Sequence, residues 1–308
     1  MILTVTPNPA WDVTYHVGSV VPGGTHRVRA VAERAGGKGV NVARILHSLG
    51  HDVLVSAPAG GVHGELIRDD LTASGLGHAI IPIRGESRRT VTAVATDDGE
   101  ATLFNEPGPE LGTGEWAAFA AHVVDHGSRA SAAVFSGSLP RNIDPHSYTA
   151  LLEQVHAPSI VDASGHTLES ALAARPDIVK PNADELAELT GCRDPLAGAV
   201  ALIERGARAV VASLGPDGLL AVTGDTAYRA VPGERVRGNP TGAGDSVVAA
   251  LAAGLALHEP WPHRLREAVA LSAATVAAPV AGEFDQDSYR RQLAAVHLEE
   301  IHAPRHHG

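Results

Sequence analysis

Residues 247–257 read Val-Val-Ala-Ala-Leu-Ala-Ala-Gly-Leu-Ala-Leu, an almost wholly apolar run of strong helix formers. Its length and composition predict a buried helix. The stretch before it, Gly238-Asn-Pro-Thr-Gly-Ala-Gly-Asp-Ser246, supplies the entry. At such an entry the first N–H groups lack intrahelical partners and the dipole end is positive. Gly242 and Gly244 have no side chain and Ala243 only a methyl, so an anion can approach those N–H groups closely. Asp245 then stands in the first turn. A carboxylate beside an anion cradle makes sense if it takes a proton from a hydroxyl attacking a phosphate. The same residues are equally compatible with a plain helix cap and chain turn.

The 308 residues, 44% hydrophobic, suffice for a large core in one α/β domain or two small ones. A formal net charge of −11 argues against a nucleic-acid surface and against anionic membranes. The single cysteine, Cys192, excludes an internal disulfide and a cysteine-based zinc site. The start, Met1-Ile-Leu-Thr-Val-Thr-Pro, has no basic leader segment, and no apolar run of about 20 residues is free of Gly, Pro or charge. These features predict a soluble, cytoplasmic protein. The basic residues are nearly all arginine. The only lysines are Lys38, in Gly36-Gly-Lys-Gly39, and Lys180, in Lys180-Pro-Asn182. A compact ammonium on a flexible stem differs from a fixed guanidinium fork.

Along the chain, a buried strand at 2–6 ends at Pro7-Asn-Pro9, with Trp11 and Asp12 at its end, where open α/β sheets place ligands. Residues 13–34 lack a helical pattern. Gly36-Gly-Lys-Gly39 opens a helix that Gly50 stops. Strands are expected at 53–57, 78–82, 132–136, 159–162, 177–180 and 208–213. Helices are expected near 64–74, 113–126, 145–156, 167–174, 182–190 and 195–205. A hairpin at 90–104 turns around Asp97-Asp-Gly99, and another spans 219–231. Helices near 262–279 and 286–300 close the chain, with a loose tail from His302. Repeated βα units predict a doubly wound, mostly parallel sheet in one domain. Segments 13–34 and 86–106 are expected to form a small β lid beside it.

Neither a P-loop nor a dinucleotide fingerprint is present. His258-Glu-Pro-Trp-Pro-His263 has the wrong spacing and two prolines for a zinc helix. Asn182 and Glu185, three apart at a helix start, read either as a capping-box pair or as hard oxygen ligands for magnesium. Ser213-Leu-Gly-Pro-Asp-Gly218 is either a turn between strands or a place where a flat ring lies on the backbone.

Together, Gly36-Gly-Lys-Gly39, Lys180-Pro-Asn-x-x-Glu185, the Ser213–Gly218 turn and Gly242-Ala-Gly-Asp245 resemble the ribokinase-like, or PfkB, carbohydrate kinases over nearly the whole chain. Thr6-Pro-Asn-Pro-Ala-Trp-Asp12 and Ser136-Gly-Ser-Leu-Pro-Arg141 resemble the branch that contains 1-phosphofructokinase and tagatose-6-phosphate kinase. The resemblance implies that Asp245 is the base and that the N–H groups of Gly242, Ala243 and Gly244 stabilise the transferring phosphoryl, each donor worth ~2.7–4 kcal/mol. It implies that Asp12 and Asn41 hold sugar hydroxyls, that Gly37 and Ser138 line the sugar site, and that Arg27, Lys38 and Arg88 grip the sugar's phosphate. It implies that Asn182 and Glu185 place Mg2+, and that Lys180, Ser213, Gly215 and Gly218 border ATP. The lid would close over the sugar and exclude water, and an apolar lid face would make a homodimer. Three residues depart from the pattern. Thr90 stands where Asn is expected, Asn142 where Gly is usual, and Trp11 where a smaller aliphatic residue is expected beside Asp12. The expected activity is phosphorylation of fructose 1-phosphate to fructose 1,6-bisphosphate. The alternatives are a tagatose-6-phosphate or fructose-6-phosphate kinase, a kinase of an unphosphorylated sugar or nucleoside, and a non-catalytic sugar-phosphate sensor.

Overall fold

A computed structural model describes residues 1–97, 99–224 and 226–301. In chain order the elements are β1 (Ile2–Val5), β2 (Ala10–Val17), β3 (Ala30–Gly36), α1 (Lys38–Ser48), β4 (Val53–Ala59), α2 (Gly61–Ala73), β5 (Gly77–Pro82), β6 (Arg88–Ala95), β7 (Ala101–Asn105), α3 (Thr113–Gly127), β8 (Ala132–Ser136), α4 (His146–Gln154), β9 (Ser159–Asp162), α5 (Gly165–Ala171), β10 (Ile178–Val179), α6 (Ala183–Thr190), α7 (Pro195–Glu204), β11 (Ala209–Ser213), β12 (Leu219–Thr223), β13 (Ala227–Val231), α8 (Ala243–Ala256), α9 (Trp261–Val276), α10 (Gln286–Ala295) and β14 (His297–Ile301).

The large sheet has the order β14-β13-β12-β11-β10-β9-β8-β1-β4-β5. From β11 to β5 all neighbours are parallel; β12, β13 and β14 add antiparallel pairs at one edge. Its central strands β1, β8 and β9 are buried on both faces, which is why they read as apolar runs rather than alternating ones. Successive residues still go to opposite sides. Ala132 and Val134 join the core under α1, α2, α8 and α9, whereas Ala133 and Phe135 join the core under α3 to α7. This is the doubly wound α/β architecture expected. The chain runs outward from β1 through β4 to β5, then returns to β8 on the other side of β1 and continues to β11. The reversal leaves a crevice beyond the carboxyl ends of β1 and β8.

The small sheet has the order β3-β2-β6-β7, with β2 parallel to β6. Two of its strands, β2 and β6, start earlier than the sequence suggests. β2 begins at Ala10 because Ala10–Val17 pairs on both sides, so Asp12 belongs to the small sheet and not to the end of β1.

The expected helix at 286–300 ends at Ala295. Residues 297–301 instead pair antiparallel with Ala227–Val231 and cover the sheet edge, with Leu298 and Ile301 turned onto the two cores. Strand β10 is only Ile178–Val179. The predicted tail from His302 and the middle of the Asp97–Gly99 turn lie outside the described residues. Among the described residues no helix is long and apolar enough to cross a membrane.

Helix α8 is deeply enclosed: Val247 through Ala252 are all buried, packed against α1 and α9. Leu251→Ala, at a fully buried position, is expected to lower unfolding free energy by about 2–5 kcal/mol in urea titration. A loss below about 1 kcal/mol would mean that the helix is not the core element described here.

Candidate active site

A cavity of about 920 Å³ fills the crevice. Thr6 and Asn8 beyond β1, Gly137 and Ser138 beyond β8, Asp162 at the end of β9, Lys180 beyond β10 and Ser213 at the end of β11 all line it. The small sheet forms its roof. Strand alternation decides which side chains face it. Asp12 and Thr90 are register partners and line the cavity; Trp11 and Arg89 are the next pair and point away. Trp11 therefore packs on the core and does not narrow the cavity.

A second cavity of about 700 Å³ adjoins the first. Gly215, Gly218, Pro216, Leu219, Val236, Val247 and Val276 give it apolar walls suited to a flat ring. The two share Asn182, Ser213, Pro240 and Gly244, so they meet at the start of α8.

Gly242 is the N-cap of α8 at φ 86°, a backbone conformation that glycine adopts without strain. Its Cβ position is also filled, lying 3.1 Å from Ala281. The Ala243 N–H donates to Pro240 O at 3.2 Å, so it is less free than the sequence suggests. Gly244 opens to both cavities.

Asp245 makes no side-chain cap on α8, which answers the capping alternative. It is 7% exposed, and its Oδ2 accepts from Asn41 Nδ2 at 2.8 Å. Burial, then the charge of Asp162, push its carboxyl up to about 7; Lys38, the Asn41 bond and Lys180 oppose this. A carboxylate with such a value can take up a proton near neutral pH. Asn41 thus holds Asp245 and also lines the cavity.

Asp162 was not singled out from the sequence. It is 1% exposed, and its Oδ1 receives both lysines, Lys38 Nζ at 3.2 Å and Lys180 Nζ at 3.3 Å. Burial disfavours its charge, but Lys180 and Lys38 outweigh that and hold the carboxyl below its usual range. Burial likewise works against the Lys38 charge, yet Asp162, Asp245 and Glu185 together hold its ammonium above the ordinary lysine value. The signal in the sequence was an aspartate closing the apolar strand Ser159-Ile-Val-Asp162.

On the roof, Asp12 is pushed up to about 6 by burial, against the charge of Arg88, bonds from Thr90 and the Gly37 backbone, and the charge of Arg34. A Cβ on Gly36 would lie 1.8 Å from Asp12 Oδ2, so a side chain there would displace the Asp12 carboxylate. Arg88 lines the cavity, its Nε donating to Asn8 O at 3.2 Å and Nη1 to Glu106 O at 3.1 Å; Arg89 instead pairs with the Glu106 carboxylate. Asn8, also missed, donates to Ser138 Oγ at 3.2 Å and Pro107 O at 3.1 Å, and so joins the two branch motifs. Asn105, the β7 partner of Thr90, lines the same cavity, as does the exposed Arg141. Asn142 binds both backbone groups of Leu111 and pins its loop. Arg27 is not brought in: it is exposed on the β2–β3 connection and does not line the cavity.

Asn182 and Glu185 form the capping box. Asn182 Oδ1 accepts from Glu185 N at 2.8 Å and Glu185 Oε2 accepts from Asn182 N at 2.9 Å. Both still line the cavity. Among the described residues no group of three or more His, Cys, Asp or Glu could hold a metal. This donor set fits a magnesium ion carried mainly by phosphates and water, with one protein carboxylate nearby, rather than a protein cage.

Asp245→Asn gives a stability test with a definite sign. A carboxyl raised from roughly 3.9 in the unfolded chain to about 7 in the fold favours folding when protonated. That contribution is full below the unfolded value and is lost as pH rises through about 7. At pH 8 the charge is a cost, so the Asn variant should melt no lower than the parent. A large drop at pH 8 would make Asp245 a structural residue instead.

Residues 7–287 match the pfkB family of carbohydrate kinases. Phosphofructokinase-2 from Escherichia coli, solved with fructose-6-phosphate, is 30% identical, with a TM-score of 0.86 over 95% of this chain and 98% of that one. The same enzyme with substrates and products superposes at 0.88 over the same shares, also at 30% identity. A Thermotoga maritima chain described as a possible 1-phosphofructokinase is 20% identical and shares the fold, with a TM-score of 0.87 over 97% of this chain and 99% of that one. With two cavities meeting at an open helix start, a buried carboxylate of raised pKa and a pair of ammonium groups, the chain belongs to the pfkB family of carbohydrate kinases.

Proposed function

We propose that this kinase transfers the terminal phosphoryl group of ATP to a hydroxyl of a ketohexose monophosphate, with fructose 1-phosphate as the substrate and fructose 1,6-bisphosphate as the product. The observation that carries it is the junction at Gly244, where an apolar slot suited to a purine meets a polar cavity beside Asp245. The nucleotide lies along Ser213, Gly215 and Gly218, and its terminal phosphate reaches the start of α8. The sugar lies under the small sheet against Asp12, Gly37 and Ser138. Its hydroxyl oxygen forms the new bond to phosphorus while Asp245 takes the proton. The bond to the bridging oxygen breaks and ADP leaves. The N–H groups of Gly242 and Gly244 face the transferring group and stabilise its charge. Magnesium, when bound, neutralises the triphosphate; Asn182 and Glu185 are the residues that would hold it, mostly through water.

Lys38 is reassigned from the sugar's phosphate to the transferring one. Its ammonium shares Asp162 with Lys180 and feels Asp245. The sugar's own phosphate is left to Arg88, which two backbone carbonyls hold in place. The small sheet acts as a lid; Leu103 lines the cavity, and the surface away from it exposes Val31 and Phe104. A homodimer through this surface is the assembly proposed.

Three outcomes check these proposals. Against fructose 1-phosphate, fructose 6-phosphate, tagatose 6-phosphate, fructose and ribose, ADP release should be largest with a phosphorylated ketose; activity confined to free sugars would overturn the substrate class. Asp245→Asn should lower kcat about 10²–10⁴-fold, and a loss under tenfold would remove it as base. Phe104→Asp combined with Val31→Asp should turn a dimer into a monomer in light scattering; a parent that is monomeric at all concentrations contradicts the interface.

A further inference from the structure

The chain has two lysines, and both end on one oxygen atom. Lys38 is the first residue of α1, Lys180 follows β10 and Asp162 ends β9. Three elements deliver these side chains to Asp162 Oδ1, at 3.2 and 3.3 Å. The Asp162 side chain is 1% exposed and that of Lys180 5%, whereas that of Lys38 is 41% exposed and reaches into the cavity. The other Asp162 oxygen, Oδ2, is buried without a hydrogen-bond partner among the described residues.

Two ammonium groups so close repel each other unless an anion sits between them, and a buried carboxylate is unfavourable unless cations pair with it. A buried ionic cluster is weak evidence for stability, since apolar residues of similar volume often serve a fold as well. Its location suggests another task. The Lys180 ammonium lies 3.6 Å from where a Cβ on Gly244 would stand, and Gly244 is where the two cavities meet.

We propose that Asp162 is a positioning residue, a resident anion that holds Lys38 and Lys180 at the transfer point while it is empty and shares them with phosphoryl oxygens that arrive there. Asp162 acts through the two ammonium groups and not by touching the sugar. Its role presupposes the nucleotide placement proposed above. The arrangement has a two-sided consequence. In the ground state the carboxylate competes with the triphosphate for the lysines. During transfer, the lysine geometry it imposes is needed. Removing its charge therefore tightens nucleotide binding and slows turnover, a split that a residue serving only the fold would not produce.

The test uses the full chain. Asp162→Asn keeps the shape and removes the charge. Calorimetric titration with the magnesium complex of AMP-PNP should give a dissociation constant roughly threefold or more below the parent's, while kcat with the best sugar phosphate falls roughly tenfold or more. In a Lys38→Met background the tightening should shrink toward none, because Lys38 is the exposed cation that an arriving triphosphate can take from the carboxylate, whereas Lys180 is buried against it. Parallel weakening of binding and turnover, or no change in either, overturns the proposal. A parent that does not bind AMP-PNP refutes the nucleotide placement and this role with it. A parent that binds, with an Asn variant that binds no tighter, refutes this role alone. If Asp162→Asn does not fold, Asp162→Asn with Lys180→Met is compared with Lys180→Met alone. That pair removes the carboxylate together with its most buried cation, and the same tightening is expected.

Discussion

Burial of α8 constrains everything else. A helix enclosed from Val247 through Ala252 must lie flat against the sheet with neighbours on its flanks, and α1 and α9 provide them. Once it lies there, its N-terminus has one place to go, the carboxyl edge of the parallel strands. Gly242, at φ 86° and with Ala281 against it, turns the chain into the helix at that edge. Gly244 then lies where the two cavities meet, while the Ala243 N–H is taken by Pro240 O. The place of this helix start follows from how a hydrophobic segment is buried in a doubly wound sheet.

The same edge collects charges that the fold alone does not need. Asp245 and Asp162 bring two carboxyl groups, and Lys38 and Lys180 two ammonium groups, into one largely buried space. Burial pushes both carboxyls toward the neutral form, and the lysines decide which one stays charged. Asp162 has both lysines in direct contact and remains ionised. Asp245 has only Asn41 in direct contact and the Asp162 charge against it, and is left near neutrality. Two chemically identical side chains are thereby given different charge states, one held as an anion and one able to take up a proton near neutral pH.

Much of this was legible in the sequence, for identifiable reasons. Apolar runs between glycine punctuation marked the parallel strands, and the fully apolar 247–257 segment marked α8. The rarity of lysine singled out Lys38 and Lys180 before their common partner was known. Asp162 itself could not be found this way, because one aspartate at a strand end looks like many others until the sheet order brings β9 between the lysines. Asn41 was recognised as a site residue and lines the cavity, but its bond to Asp245 was not foreseen, since sequence does not show that α1 packs beside α8. Asn182 and Glu185 carried two meanings, and the structure makes the capping box directly. The β14 strand was missed because local helix propensity in 296–300 yields to an open sheet edge, a long-range effect. Arg27 fell away because an arginine in a long connection can point anywhere, and here it points to solvent.

The most direct measurement is the pH dependence of kcat/KM for the preferred sugar phosphate at saturating magnesium ATP. With Asp245 as the base, activity should fall on acidification with a midpoint near the raised value of about 7, because only the ionised carboxylate accepts the hydroxyl's proton. A profile that stays flat down to pH 5 would show that no group with such a value controls the reaction, and would contradict the role given to Asp245 and the electrostatic division between the two aspartates.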